Sequence, residues 1–563
     1  MRKILLFMSV LFIFNTYALA SGSPSAKANY LQKNFVSSTT SNYDAMDVFG
    51  ILSFLMQYSN TIGKYNYEVA NLTWKDIEDA ISGNPDDLIN KITTSDMETP
   101  PLTWKASGNH KVLTRIQIYQ NFYGTFNGSY FKNLELLEII QTNISSIDVA
   151  TNYNLSNLIC YSNKITSLDL SHNSNLEFLD CNGNQLTSLD LSKNPKLKSL
   201  ICYENKLSAI NLSNNLNLKV LVCNTNLLNS LDLSYNNNLE YLDCEKNKLT
   251  SLNLPKGKNT NLNKILCDEN QISSLDVTPY TNLELLACNN NQLTSLNLSN
   301  NPNLKELKCN NNQLTSLDLS HNPILEFLDC NNNQLTSLDL SNVRELLHLN
   351  CYDNLLKFST LKGDFSNLKY GTLSKLGPQA IWKGGTKGFL DLIDLSSEYN
   401  IHETLTTYTW YDKTTNQKVA MFASNGAFYP GPGNKGKTLL CKMTNALYPN
   451  LDIEYEVTIT NSMIQDFSAK NRDFKIPDNF TLTGPEVETS NLKVYPNPVI
   501  DVLKINTPSQ IESVSIYDYS GNEVKKVSPV INKEVNLQGL SSGNYILTIK
   551  TSQGTITKKI IKK

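Results

Sequence analysis

The chain has 563 residues, 40% of them hydrophobic, and a formal net charge of -3. That near-neutral balance, with no Lys/Arg run interleaved with aromatic residues, argues against a nucleic-acid binder. Five histidines (His110, His172, His321, His348 and His402) lie far apart and form no HExxH pair, which argues against a zinc enzyme. The length is enough for about three or four domains.

Residues 1–20 read as a secretory signal. Arg2 and Lys3 precede an apolar run from Ile4 to Phe14, and Ala18 and Ala20 stand before a Ser-Gly-Ser-Pro stretch, so cleavage is expected after Ala20. The apolar run is shorter than the ~20 residues a spanning helix needs. No later segment is long enough, and the mature chain is expected to contain no transmembrane segment.

Residues 21–112 carry no repeat. Asp44 to Tyr58 reads as an apolar helix. Thr73-Trp-Lys-Asp76 is a capping box opening a second helix with Ile77, Ala80 and Ile81 on one face, and Asn84-Pro85 starts a third through Leu88, Ile89 and Ile92. A small helical N-terminal cap is the expectation, because a stacked repeat array exposes apolar ends that must be covered.

From residue 113 to about 365 the chain repeats. Ten of its eleven cysteines stand in a ladder: Cys160, Cys181, Cys202, Cys223 and Cys244, then Cys267, Cys288, Cys309, Cys330 and Cys351. Every step is 21 residues except the 23-residue step from Cys244 to Cys267, where Pro255 to Thr260 enter as a lengthened loop. Three residues after each ladder cysteine stands an asparagine, from Asn163 to Asn354. The unit reads L-x-x-L-x-C-x-x-N-x-L-x-x-L-x-L-S-x-N-x-x, and Ile139 and Ile118 extend its register backwards to about twelve coils.

This spacing resembles the bacterial 21-residue class of leucine-rich repeats. The resemblance implies a solenoid with one parallel strand per coil at LxxLxC. The columns have physical reasons of their own. Leucines and cysteine converge on a narrow interior, each fully buried side chain stabilising by roughly 1.5–3 kcal/mol before entropy is deducted. The asparagine can donate and accept where the chain turns out of the strand, bridging backbone groups to the adjacent coil. Parallel neighbours about 4.8 Å apart do not offer the crossed, closer Cβ pair a disulfide requires, so free thiols are expected.

Because the framework columns barely vary, information for a partner must lie in the outward columns of each strand. In the first half these hold Ile159, Tyr161, Phe178, Ile201, Tyr203, Val220, Val222 and Tyr241. In the second half Asn, Asp, Glu and Lys dominate. An apolar, aromatic patch of this kind marks a ligand-binding concave face; the competing reading is that the cap or a loop folds over it. The LDLS column from Asp169 to Asp339 is interrupted by Asn at 211, 253 and 297, which favours a solvated ladder over a calcium site. No cofactor and no metal centre is expected.

Residues 366–462 change to period-2 strands, such as Leu439-Leu-Cys441-Lys-Met443, with turns at Asn425-Gly426 and Pro430-Gly-Pro-Gly433. With Trp410 in a central strand they resemble an immunoglobulin-like β-sandwich. A polar linker, 463–488, follows.

Residues 489–563 carry Tyr-Pro496-Asn497-Pro498, then Gly543-Asn-Tyr545, and end in Lys562-Lys563. These motifs resemble the C-terminal sorting domain of the type IX secretion system of Bacteroidetes, a small β-sandwich. What this resemblance implies is handling by that secretion machinery and a place outside the cell, secreted or attached to the outer membrane surface. The leading functional reading is a non-catalytic recognition or adhesion protein that binds a protein or glycan partner. The alternatives are a binding module accessory to a secreted hydrolase and a purely structural surface spacer. Gly-x-Ser-x-Gly is absent and the ladder cysteines face the core.

Overall fold

The computed structural model describes residues 43–59, 64–70, 72–81, 85–93, 102–119, 122–256, 261–368, 374–448, 450–460, 481–483, 492–518, 523–552 and 554–563. The signal segment and most of the linker lie outside them. By its internal contacts the chain divides into two compact units, Met1–Cys330 with Asn342–Leu347, and Asn331–Ser341 with His348–Lys563.

In the first unit a helix spans Ala45–Leu55, capped by Asp44, whose carboxylate accepts from the Met46 and Asp47 N–H groups. The capping box forms as expected. Thr73 N donates to Asp76 Oδ2 at 2.7 Å and Asp76 N donates to Thr73 Oγ1 at 3.3 Å, opening the helix Trp74–Ile81. A helix at Pro85–Thr93 follows. Asp47 ties the first helix to the repeats, because its buried carboxylate accepts from Leu113 N at 2.7 Å. One element was not legible in advance: a strand at Leu102–Ser107 pairs antiparallel with His110–Ile118 and covers the edge of the repeat sheet.

Beyond that hairpin the sheet adds one short parallel strand per coil, in chain order, through Phe327–Asp329. Register is strict: Leu179, Leu200 and Leu221 lie side by side, as do Phe178, Ser199 and Val220. The central leucine or isoleucine of each three-residue strand is fully buried, and most of its neighbours are half-buried. The ladder cysteines have no exposed surface and are free thiols. Their N–H groups continue the sheet, as in Cys181 N to Ile201 O at 2.8 Å.

The asparagine column does what its chemistry allows. Asn205 Nδ2 donates to Cys202 O, to Tyr203 O and, one coil back, to Cys181 O at 3.0 Å, while its Oδ1 accepts from Leu186 N at 2.9 Å. One carboxamide therefore satisfies four backbone groups in two coils. A second asparagine column, Asn152, Asn173, Asn194, Asn215 and Asn236, lies fully buried on the other side of the coil. Asn194 Nδ2 donates to Leu170 O and Asn173 O of the preceding coil at 3.1 and 2.9 Å. In the coil after the 23-residue step Tyr280 takes this place, fully buried, and its hydroxyl donates to Pro255 O at 2.6 Å. Pro255 is thus tied to the next coil.

Two further columns have local causes. The residue two after each ladder cysteine is left-handed whatever its type: Ser162, Glu204, Thr225, Lys246 and Asn290 all have φ between 50° and 55°, and Gly183 has 60°. The LDLS aspartates close Asx turns, with Ser192 N donating to Asp190 Oδ1 at 2.9 Å and Ser213 N to Asn211 Oδ1 at 3.1 Å. Asp and Asn share that column because the turn needs only an acceptor oxygen. Relief of like-charge repulsion is not required to explain it.

In the second unit, Leu338–Asp339 pairs in parallel with Leu361–Lys362, and Cys351 closes the ladder. Two four-stranded sheets follow. One is ordered Trp382–Gly388, Ile453–Thr460, Thr438–Thr444, Thr407–Asp412; the other is ordered Ile393–Asp394, Ala427–Tyr429, Met421–Ser424, Thr481–Thr483. Trp410 is buried between them with its ring 5.3 Å from Phe428. The C-terminal segment forms a three-stranded and a four-stranded sheet around Val499, Leu503, Val514, Ile516, Leu547 and Ile560.

Asn205→Ala is expected to lower stability by about 3 kcal/mol, because several buried backbone groups lose their partner. Thr225→Gly is expected to raise it by roughly 0.5–1 kcal/mol by relieving a β-branched residue at φ 52°. Denaturant midpoints of the full chain read both changes.

Candidate ligand-binding face

The strand geometry places the eight candidate residues in three outward rows. Phe178 and Tyr241 stand in one row with Ser199 and Val220 between them; Ile159, Ile201 and Val222 stand in the next. Tyr161 and Tyr203 form the third row, with Asn182 between them. All eight are half-buried and alternate with fully buried leucines and cysteines.

The middle row also contains two residues that sequence reasoning passed over. Asp180 lies between Ile159 and Ile201, and Asp243 follows Val222. Each is 9% exposed, so a carboxylate is sunk among apolar side chains. Asp180 Oδ1 accepts from Asn182 N at 3.3 Å and Asn182 Nδ2 at 2.5 Å. Asp243 Oδ1 accepts from Glu245 N at 3.2 Å, and Asp268 Oδ1, one coil on, accepts from Asn289 N at 2.8 Å. Burial raises the pKa of Asp180. Burial, with the charge of Glu245 added, raises Asp243 to about 6 and Asp268 to about 7. The fixed 21-residue interval was the signal that could have exposed Asp180 and Asp243, since both fall in the outward column beside the cysteine.

The N-terminal edge of the same face is self-contained. Glu138 accepts from Arg115 at 3.1 Å and from Gln117 Nε2 at 2.6 Å, and Tyr119 also donates to it. Towards the other end, Lys308 pairs with Glu306 at 2.6 Å. Between these ends no ion pair among the described residues reaches Asp180, Asp243, Glu245 or Asp268.

No group of three metal-ligating side chains occurs among the described residues. Two Ser-His contacts, Ser171 Oγ to His172 Nδ1 at 3.0 Å and Ser320 Oγ to His321 Nδ1 at 2.9 Å, are exposed. In the first, Asp169 bonds the serine and not the imidazole, so no base is oriented behind it.

The sorting motifs converge on the terminal strand Gly554–Lys562. Asn497 pairs with it as a strand would, its Nδ2 donating to Lys559 O at 3.0 Å and its Oδ1 accepting from Ile561 N at 2.8 Å. Pro496 and Pro498 flank this contact, and Lys563 N donates to Val499 O at 2.9 Å. Gly543 faces Lys562 across the strand pair, and buried Tyr545 donates to Ser541 O at 2.8 Å. Lys562 itself is only 8% exposed, 3.9 Å from Asp501.

Residues 493–563 match the secretion system C-terminal sorting domain. The chain carries a solenoid of coils about 21 residues long and, in its last residues, this sorting domain. That tail places it outside the cell or on the outer surface, by type IX secretion. No helix among the described residues is long and apolar enough to cross a membrane. A search of curated proteins finds no match. Among solved structures the chain is similar to the functional domain of InlJ from Listeria monocytogenes, which includes a cysteine ladder, at 24% identity and TM-score 0.38, covering 59% of this chain and 86% of that one. It is similar to a leucine-rich repeat protein of Leptospira interrogans at 23% identity and TM-score 0.38, covering 45% and 74%. The internalin InlF of Listeria monocytogenes aligns at 22% identity and TM-score 0.34, covering 49% and 86%.

The raised carboxylates set a pH dependence. A carboxyl whose folded pKa lies above its unfolded value binds its proton first in the folded state, so stability rises as pH falls from above the folded pKa towards the unfolded one. Asp243→Asn and Asp268→Asn, which keep the acceptor oxygen, are therefore expected to raise the melting temperature at about pH 8 and to raise it by less near pH 5, where the folded carboxyls are mostly protonated. Thermal melts at the two values measure this. In the tail, Asn497→Ala is expected to speed amide exchange at Ile561 at least tenfold, read by mass spectrometry of C-terminal peptides.

Proposed function

We propose that the protein is a non-catalytic recognition protein acting outside the cell or on its outer surface, and that it binds a protein or glycan partner through the outward strand face centred on Tyr161, Tyr203 and Tyr241. The observation that supports this most is the composition of that face. Half-buried aromatic and aliphatic side chains continue from coil to coil there, against the polar outward columns of the later coils. Tyrosine suits such a place because its ring packs against a partner while its hydroxyl stays solvated. The repeat framework supplies a stiff platform, and the sorting tail delivers it where partners are met.

The double variant Tyr203→Ala/Tyr241→Ala is expected to lose binding by tenfold or more to whichever component of a glycan array or matrix-protein panel the parent chain retains. These side chains face outward, so the melting temperature should move little. Unchanged binding with an unchanged melting temperature would remove this face from the account.

A further inference from the structure

The charges on this face are unevenly compensated. Four acidic residues on or beside the strands have an internal cation within reach: Arg115 for Glu138 at 3.1 Å, Lys198 for Glu177 at 2.7 Å, Lys219 for Glu240 at 2.8 Å and Lys308 for Glu306 at 2.6 Å, with Glu177 and Glu240 next to Phe178 and Tyr241. Asp180, Asp243, Glu245 and Asp268, by contrast, have no ion pair among the described residues; Glu245 and Asp268 are hydrogen-bonded to each other, and only Asp268 feels a nearby cation, Lys308, which is itself paired with Glu306. Asp180 and Asp243 are also the most enclosed of these carboxylates. A carboxylate held among apolar groups without a countercharge is unfavourable, and one that meets a cation in that setting gains more than it would in water.

We propose that the occupant of this face is an extended, basic polypeptide segment of a partner protein, laid across the strands with its Arg or Lys side chains meeting these four carboxylates between the tyrosine rings. This deepens the reading given above and rests on it. The tyrosines Tyr161, Tyr203 and Tyr241 offer ring faces for the guanidinium or ammonium groups and for the stems behind them. The spacing is compatible. Asp180 and Asp243 stand three coils apart, about 14 Å at the sheet spacing, which an extended chain covers in about four residues. Basic residues at positions i and i+4 lie on the same side of such a segment and reach both carboxylates. A neutral glycan would leave the four charges desolvated without compensation, which is why a basic chain fits better.

The test uses a fluorescein-labelled peptide Gly-Arg-Gly-Gly-Gly-Arg-Gly, the same peptide with Gln for Arg, and a neutral oligosaccharide panel, each titrated into the full chain. The Arg peptide is expected to bind, to weaken steeply between about 50 and about 300 mM salt, and to exceed the Gln peptide at least tenfold. Asp243→Asn/Asp268→Asn should weaken it at least tenfold, whereas Asp190→Asn/Asp318→Asn, which remove the same charge from the exposed LDLS column, should not. Failure of the Arg peptide to bind, or binding indifferent to Asp243→Asn/Asp268→Asn, overturns the proposal. If a neutral oligosaccharide or the Gln peptide binds instead, with loss in Tyr203→Ala and none in the Asp variants, the face remains the binding surface and its partner is not basic. If no probe binds in a Tyr203-dependent manner, the Arg-peptide proposal and the reading of the face fall together.

Discussion

The rest of the repeat structure depends on one hydrogen-bonding device, a buried carboxamide that serves two coils at once. A coil of 21 residues has too little interior to satisfy its own turning backbone, and a single coil cannot bury its leucines. Asn205 and its equivalents solve the first problem by donating within their own coil and both donating to and accepting from the coil before it. The same bonds fix register, since a slip would break four interactions per coil. The second column, Asn173 to Asn236, adds a simpler link on the other side, each Nδ2 donating twice to the preceding coil, so each coil is held to its predecessor at two corners.

With register fixed in this way, the outward rows become a surface with defined spacing. The cysteines and leucines are the interior that makes the strands possible. The tyrosines and the uncompensated carboxylates are what those strands display. The tail uses a related device, with Asn497 standing in for a strand along the edge of the terminal strand. In both places an asparagine side chain replaces backbone where backbone cannot reach.

The regular columns were readable in the sequence because a repeat averages out local ambiguity: the cysteine interval gave strand position, burial and facing without any propensity argument. The capping box at Thr73 and Asp76 was readable for a different reason, since the two side chains bond groups three residues apart. What escaped reading depends on neighbours distant in sequence. Asp180 and Asp243 look like solvated residues by type, and only the coils on either side enclose them. The left-handed column two residues after each cysteine holds Glu, Thr and Lys as well as Asn and Gly, so its conformation follows from the coil's closure and not from its side chains. The second asparagine column was visible as a letter in the repeat, but its role needed the carbonyls of the preceding coil. Tyr280 shows the limit of the pattern, because it replaces the column's asparagine with a hydroxyl that reaches Pro255 O in the preceding coil.

The central claim is that the cysteine ladder is packed interior, a ruler for the columns beside it and not a reactive or cross-linked feature. Thiol titration of the full chain without reductant, first native and then in denaturant, tests this directly. The account predicts no reactive thiol in the native protein and all eleven on unfolding. A count well below eleven in denaturant, or ladder thiols that react in the native state, would contradict it.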